Sequence, residues 1–180
     1  MGAILTGVVM IWFTSDLHLG NPRMLDDPYR GVSRPFGSVE EMDGALIDSW
    51  NRTVSDGDTV FVLGDLSDVP GYSARLRGRK ILVMGNHDHD LEGFEEVHPY
   101  MEIEAAGREF VLFHFPIQEW RGAYKGVLHL HGHVHGKELD PVEHSGSRMD
   151  VGIDTNPYRP YSIAEVLERI GGGREAVGKE

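Results

Sequence analysis

Apolar positions along the chain fall into short runs, each closed by a polar cluster. Residues 8–14, 59–63, 80–84, 109–115, 126–130 and 148–152 have the length and the β-branched or aromatic content of buried strands. Two stretches carry the helical period instead. Ser38-Val39-Glu40-Glu41 is a capping box, followed by Met42, Leu46, Ile47 and Trp50 on one face. Ser162-Ile163-Ala164-Glu165 is a second, followed by Val166, Leu167 and Ile170 and ended by Gly171. In the first half helices are expected to alternate with strands, whereas between Gly107 and Gly152 strands follow one another without an obvious helix. That order predicts an α/β fold of two sheets packed face to face with helices outside. No internal repeat is visible, and residues 20–37 form the longest stretch without a pattern, a length often reserved for function.

Composition narrows the class. A chain of 180 residues, 40% hydrophobic and 26% charged, fits one globular domain, expected over residues 1–170, with a Gly-rich charged tail at 171–180 too polar to order. The apolar run at residues 3–13 lacks a basic leader and leads straight into Asp16, so it reads as a first core strand rather than a signal sequence, and the protein is expected to be cytoplasmic with no membrane partner. There is no cysteine, hence no disulfide or thiolate, and any metal must be held by His, Asn and carboxylates. The formal charge of -12 excludes a basic groove wrapping a phosphate backbone, so no stable nucleic-acid binding is expected. Oligomeric state is not legible.

The chemistry lies where the strands end. Asp16-Leu17-His18 follows the first run, and an acid and an imidazole two positions apart in extended chain point to one side. Asp65 follows the second run across Gly64, and Gly85-Asn86-His87-Asp88 follows the third. His114 closes the fourth, and Gly132-His133-Val134-His135-Gly136 follows the fifth. An isolated Asp at a strand end is usually a turn former, but five such clusters after five apolar runs form a metal-capable array. His129 and His131 are expected to be structural. His89, His98 and His144 read as exposed, and Arg23, Arg121, Lys125 and Arg148 as solvated. No nucleophile elbow, phosphate loop or dinucleotide fingerprint is present.

In this order the blocks Asp-x-His, Gly-Asp, Gly-Asn-His-Asp, His and Gly-His-x-His resemble the calcineurin-like metallophosphoesterases. Arg34-Pro35-Phe36, Trp50-Asn51, His114-Phe115-Pro116 and Asp150-Val151-Gly152 are similar to a small bacterial and phage branch. The resemblance implies a four-layer α/β/β/α sandwich of two mixed sheets. It implies that Asp16, His18 and His135 hold one divalent cation and Asn86, His114 and His133 another, with Asp65 bridging. His87 would contact phosphate or act as the acid, with Asp88 expected to orient its ring. Mixed oxygen and nitrogen donors suit manganese first, then iron, zinc or nickel. Two such cations supply a hydroxide for in-line attack and offset phosphoryl charge. The expected substrate is a small phosphodiester such as a cyclic nucleotide, with a phosphomonoester as the alternative, and a nuclease or a non-catalytic metal-bound scaffold behind both. One departure is Asn21, where many relatives carry a further histidine.

Overall fold

The computed structural model describes residues 9–28, 31–137 and 145–172. Among the described residues nine strands and two α-helices are formed: β1 (Ile11–Thr14), α1 (Val39–Thr53), β2 (Thr59–Val62), β3 (Arg79–Val83), β4 (Glu96–His98), β5 (Met101–Ala105), β6 (Arg108–Leu112), β7 (Leu128–His131), β8 (Arg148–Asp150), β9 (Tyr161–Ser162) and α2 (Ile163–Gly172). One sheet has the order β4-β3-β2-β1-β9 and the other β5-β6-β7-β8. Both are mixed. In the first only β9 runs antiparallel, and in the second β5 does.

The predicted α/β class and face-to-face packing hold. Phe13, Phe61, Leu63, Ile81 and Val83 meet Phe110, Leu112, Leu128 and Leu130 between the sheets, with the Phe13 and Phe110 rings 5.8 Å apart. Outside the first sheet, α1 buries Met42, Leu46, Ile47 and Trp50 against Val60, Val62 and Leu82. Burial of each such side chain contributes about 1.5–3 kcal/mol, and Trp50→Ala is the single change most damaging to this layer. The cover over the second sheet is smaller, made by Trp120, Ala123 and Val127 on Val111. Helix α2 adds Val166 and Ile170 to the core between the sheets.

Both capping boxes form. Ser38 Oγ accepts from Glu41 N–H while Glu41 accepts from Gly37 N–H. Ser162 and Glu165 cap each other reciprocally. The expected alternation of helices with strands is corrected, because after α1 the links are a single 3-10 turn (Ser73–Arg75) before β3 and a loop before β4. Short parallel links suffice there because Leu76 and Tyr72 cover the sheet in place of a helix. Gly171 and Gly172 belong to the last turn of α2, and the rest of the expected tail lies outside the described residues. The loop at 20–37 contains a 3-10 turn (Pro22–Met24) and an Asp27–Val32 bridge. No helix among the described residues is long and apolar enough to cross a membrane.

This topology decides where the polar clusters go. Because β1, β2 and β3 are parallel, Asp16, Asp65 and Asn86 emerge at one edge; β6 and β7 are parallel, so His114 and His133 emerge together too. A parallel bridge between Ser15 and Gly152 and a bond from Ile153 N–H to Ser15 O (2.9 Å) bind the two edges into one floor.

Candidate metal centre

The backbone at this floor is left-handed where a strand would be extended. Asp16 (φ 58°), His18 (φ 49°), Asp65 (φ 57°), His133 (φ 71°) and His135 (φ 51°) all have positive φ. The extended-chain argument for Asp16 and His18 is therefore corrected: the two side chains converge because each residue turns. Such conformations cost about 1–3 kcal/mol each and persist because neighbouring backbone holds them. Asp16 N–H donates to Gly64 O at 3.0 Å and His18 N–H to Asp65 O at 3.0 Å. Two glycines make the approach possible. A Cβ on Gly64 would run into the His114 ring and lie 2.7 Å from the Gly85 backbone, and one on Gly132 would run into Ser15 and the Asp16 carboxylate.

The turns aim donor atoms at one another. His18 Nε2 lies 4.0 Å from Asp16 Oδ1 and 3.5 Å from Asp65 Oδ2. His135 Nε2 lies 3.9 Å from Asp16 Oδ1, and His114 Nε2 3.5 Å from Asp65 Oδ2. Asn86 Oδ1 is 3.1 Å from His114 Nε2. The His133 ring is 5.2 Å from that of His114, and the His133 backbone N–H donates to Asp16 Oδ2 at 2.8 Å. All seven residues expected to bind metal thus gather at one place, as two groups with Asp65 touching both.

Proton positions explain why these atoms face each other. Burial opposes charge on Asp68 and Asp154, but bonds from His18 to the first and from His135 and Arg34 to the second hold both carboxyls at about 2. Ionised carboxylates only accept, so Nδ1 of His18 (2.9 Å to Asp68) and of His135 (2.8 Å to Asp154) must carry hydrogens. His114 Nδ1 faces Leu63 O at 2.8 Å, which also only accepts. Each ring therefore turns Nε2 inward, the atom whose lone pair a cation would take. Asp16 Oδ1, His18 Nε2, Asp65 Oδ2 and His135 Nε2 are buried without a hydrogen-bond partner. Orphaned lone pairs on a floor lined by carboxylates are costly unless a cation sits among them. Burial pushes the Asp16 carboxyl up despite His135 and His114 nearby, the response of a carboxylate short of positive charge. The donor set, imidazole with carboxylate and amide oxygen, fits divalent cations.

Sequence reasoning missed the supporting carboxylates. Asp68 Oδ1 holds His87 Nδ1 at 3.0 Å while its Oδ2 holds His18 and accepts from Asn21 Nδ2. The expected partner, Asp88, does not orient His87: its oxygens accept from the backbone N–H groups of Asp65 (2.8 Å), Leu66 (3.1 Å) and Gly85 (2.7 Å), tying β2 to β3. Gly-Asp-Leu-Ser-Asp offered a signal, since the second Asp lies three positions after Asp65. His129 and His131 are structural as expected. Val111 O and Ile117 N–H engage His129, Gly132 O engages His131, and burial pushes them down to about 3 and about 4. Arg121 is paired with Glu102, and His144 lies outside the described residues.

Comparison with known proteins agrees with this geometry. An uncharacterized protein of Methanocaldococcus jannaschii is 31% identical over 174 residues, covering 91% of this chain and 93% of the relative. The gene 66 protein of Mycobacterium phage L5 is 31% identical over 182 residues, 79% of this chain and 86% of the relative. A solved structure of a protein of unknown function from Aquifex aeolicus superposes with a TM-score of 0.69 at 27% identity, covering 89% of this chain and 99% of that one. Residues 9–155 match the calcineurin-like phosphoesterase description, and they contain every donor atom of the floor. The chain belongs to the calcineurin-like phosphoesterase family.

Proposed function

We propose that this metallophosphoesterase hydrolyses small phosphodiesters, cyclic nucleotides among them, at two divalent cations, manganese in the first instance. Asp16, His18 and His135 would hold one, and Asn86, His114 and His133 the other, with Asp65 between them. The observation that carries the reading is the set of inward lone pairs on Asp16, Asp65, His18 and His135 that no protein group satisfies. Bound cations supply a nucleophile from water at neutral pH and offset charge on the phosphoryl oxygens.

The chain's own residues do the rest. The His87 side chain is 29% exposed, and its ring stands edge-on to His18 at 5.0 Å, beside the metal floor. Asp68 fixes its Nδ1 hydrogen, so Nε2 is the atom that exchanges a proton with the departing alkoxide. Arg34, the buried guanidinium nearest the floor, is fully engaged by Asp154 and by carbonyls. That guanidinium is thus not free to match the second charge of a phosphomonoester, which supports the monoanionic diester. With a formal charge of -12, a small substrate rather than a nucleic-acid strand suits the surface.

One observation favours phosphomonoesters as a second reading. Exposed Lys137 lines a cleft with His133 and His135, where an ammonium would meet an additional phosphoryl charge. Hydrolysis of bis-p-nitrophenyl phosphate against p-nitrophenyl phosphate, by metal-stripped protein resupplied with manganese, zinc or magnesium, decides. Preference for the diester supports the proposal, preference for the monoester transfers it to the phosphatase reading, and no turnover with any metal refutes both.

A further inference from the structure

We propose that Arg34 is a positioning residue for one of the two metal positions, that of Asp16, His18 and His135, and not for the other; this rests on the two-cation reading above. Arg34 comes from the 20–37 loop, sixteen positions after His18, and is 2% exposed. Its Nη2 donates to Asp16 O at 2.7 Å and its Nη1 to Leu17 O at 2.6 Å. These are the carbonyls of the left-handed turn that carries Asp16 and His18. The other edge of the same guanidinium grips Asp154 through Nε (2.8 Å) and Nη2 (2.9 Å). Asp154 Oδ2 in turn holds His135 Nδ1 at 2.8 Å. One planar fork thus reaches all three ligands of a single position: Asp16 through its own carbonyl, His18 through the carbonyl of the preceding Leu17, and His135 through the Asp154 carboxylate.

The second position is propped by other means. His114 leans on Leu63 O, and Asp65 is held by Asp88 through its backbone and by His87 N–H on its carboxylate. Among the described residues no hydrogen bond joins that group to Arg34, although His133 N–H donates to Asp16 Oδ2 at 2.8 Å. The fork matters because a lysine delivers a point charge and cannot span two carbonyls and a carboxylate at once. Arg34 and Asp154 are 120 positions apart in the chain, so the contact also fastens the long loop to the segment after β8.

Asymmetric loss of metal tests the idea. Metal-stripped full-length protein is titrated with manganese by calorimetry, and the paramagnetic resonance spectrum is read for a spin-coupled pair. Wild type is expected to bind two ions. Arg34→Met and Asp154→Asn should each weaken one ion about 10- to 100-fold, the range for losing an outer partner of a ligand, and leave the other within about threefold. The coupled spectrum should give way to that of an isolated ion. Arg34→Lys should fall between Arg34→Met and wild type. Equal weakening of both ions, or of neither, in folded variants overturns the proposal. Should Arg34→Met fail to fold, Arg34→Lys alone decides by the same criterion, because it keeps the buried charge and removes only the fork. A wild type that binds no manganese, zinc or magnesium refutes the two-cation reading itself, a result distinct from symmetric loss.

Discussion

The first sheet buries charge at both ends, and the two ends treat it differently. At the end where β2 and β3 begin, Asp58 accepts from Met10 N–H, Trp12 Nε1 and Ser55 N–H, each within 3.0 Å. Burial opposes its charge, but these donors prevail and its carboxyl sits below the usual range. Lys80 in β3 donates to Leu76 O and Gly78 O. At the opposite end Asp16 and Asp65 are as deeply buried, yet an oxygen of each has no partner. A buried charge whose atoms are all matched is part of the scaffold. One whose lone pairs converge on empty directions implies a ligand the chain does not contain.

The contrast breaks most visibly at Asp65. Asp65→Ala removes the oxygen common to both groups, and activity should fall further than the roughly 10²- to 10⁴-fold lost with a general acid. The thermal stabilisation given by manganese should vanish with it. In wild type, at a hundred times its dissociation constant, that ion is worth about 2.7 kcal/mol. Retained turnover in this variant would overturn the bridging role. His87→Ala should lose turnover within the range for a general acid while keeping the manganese-induced shift in melting temperature. Asp68→Asn should lose less turnover, since a neutral amide still accepts from the ring but no longer stabilises its charged form. Loss of metal binding in His87→Ala would move His87 from the acid's role to a ligand's.

Much of this floor was readable from sequence because each donor follows an apolar run at a strand end, a local pattern. The supports were not, because their contacts are remote: His18 meets Asp68 50 positions away, and Arg34 meets Asp154 across 120. The strands fared likewise. β1, β2 and β3 are buried apolar runs, but β5 is a sheet edge whose Met-Glu-Ile-Glu-Ala alternation keeps its glutamates outside, and β9 has two residues hidden in a capping box. The left-handed turns at Asp16 and Asp65 were illegible for a different reason, since nothing in a side chain announces a conformation that neighbouring backbone imposes.

The opposite end offers the converse test. Asp58→Ala should cost about 2–3 kcal/mol, the scale of hydrogen bonds to a charged group, and lower the melting temperature by about 5–10 °C. Turnover per folded molecule should be unchanged, because no atom of Asp58 touches the metal floor. A fall in turnover at temperatures where the variant remains folded would erase the distinction between the two ends.

His129 gives the smallest and most selective test, because it titrates and lies two residues from His131 yet belongs to the scaffold. Both its nitrogens are matched, by Val111 O and by Ile117 N–H. Burial, with His131 and Arg148 adding repulsion, pushes it down to about 3. The folded protein therefore holds this ring neutral while the unfolded chain protonates it near pH 6.5. Its contribution is fully present above that pH and is lost progressively as pH falls toward about 3. Asp68 and Asp154, held at about 2, lose their contribution only below about pH 4, where unfolded carboxylates protonate. Between pH 6.5 and 5 the difference in denaturant stability between wild type and His129→Gln thus isolates this ring, since other groups are common to both. Glutamine reproduces one donor and one acceptor but does not titrate, so wild type should lose up to about 2 kcal/mol more than the variant over that interval. Equal slopes would mean the imidazole accepts its proton in place, and that a ring matched at both nitrogens can still behave as an open site.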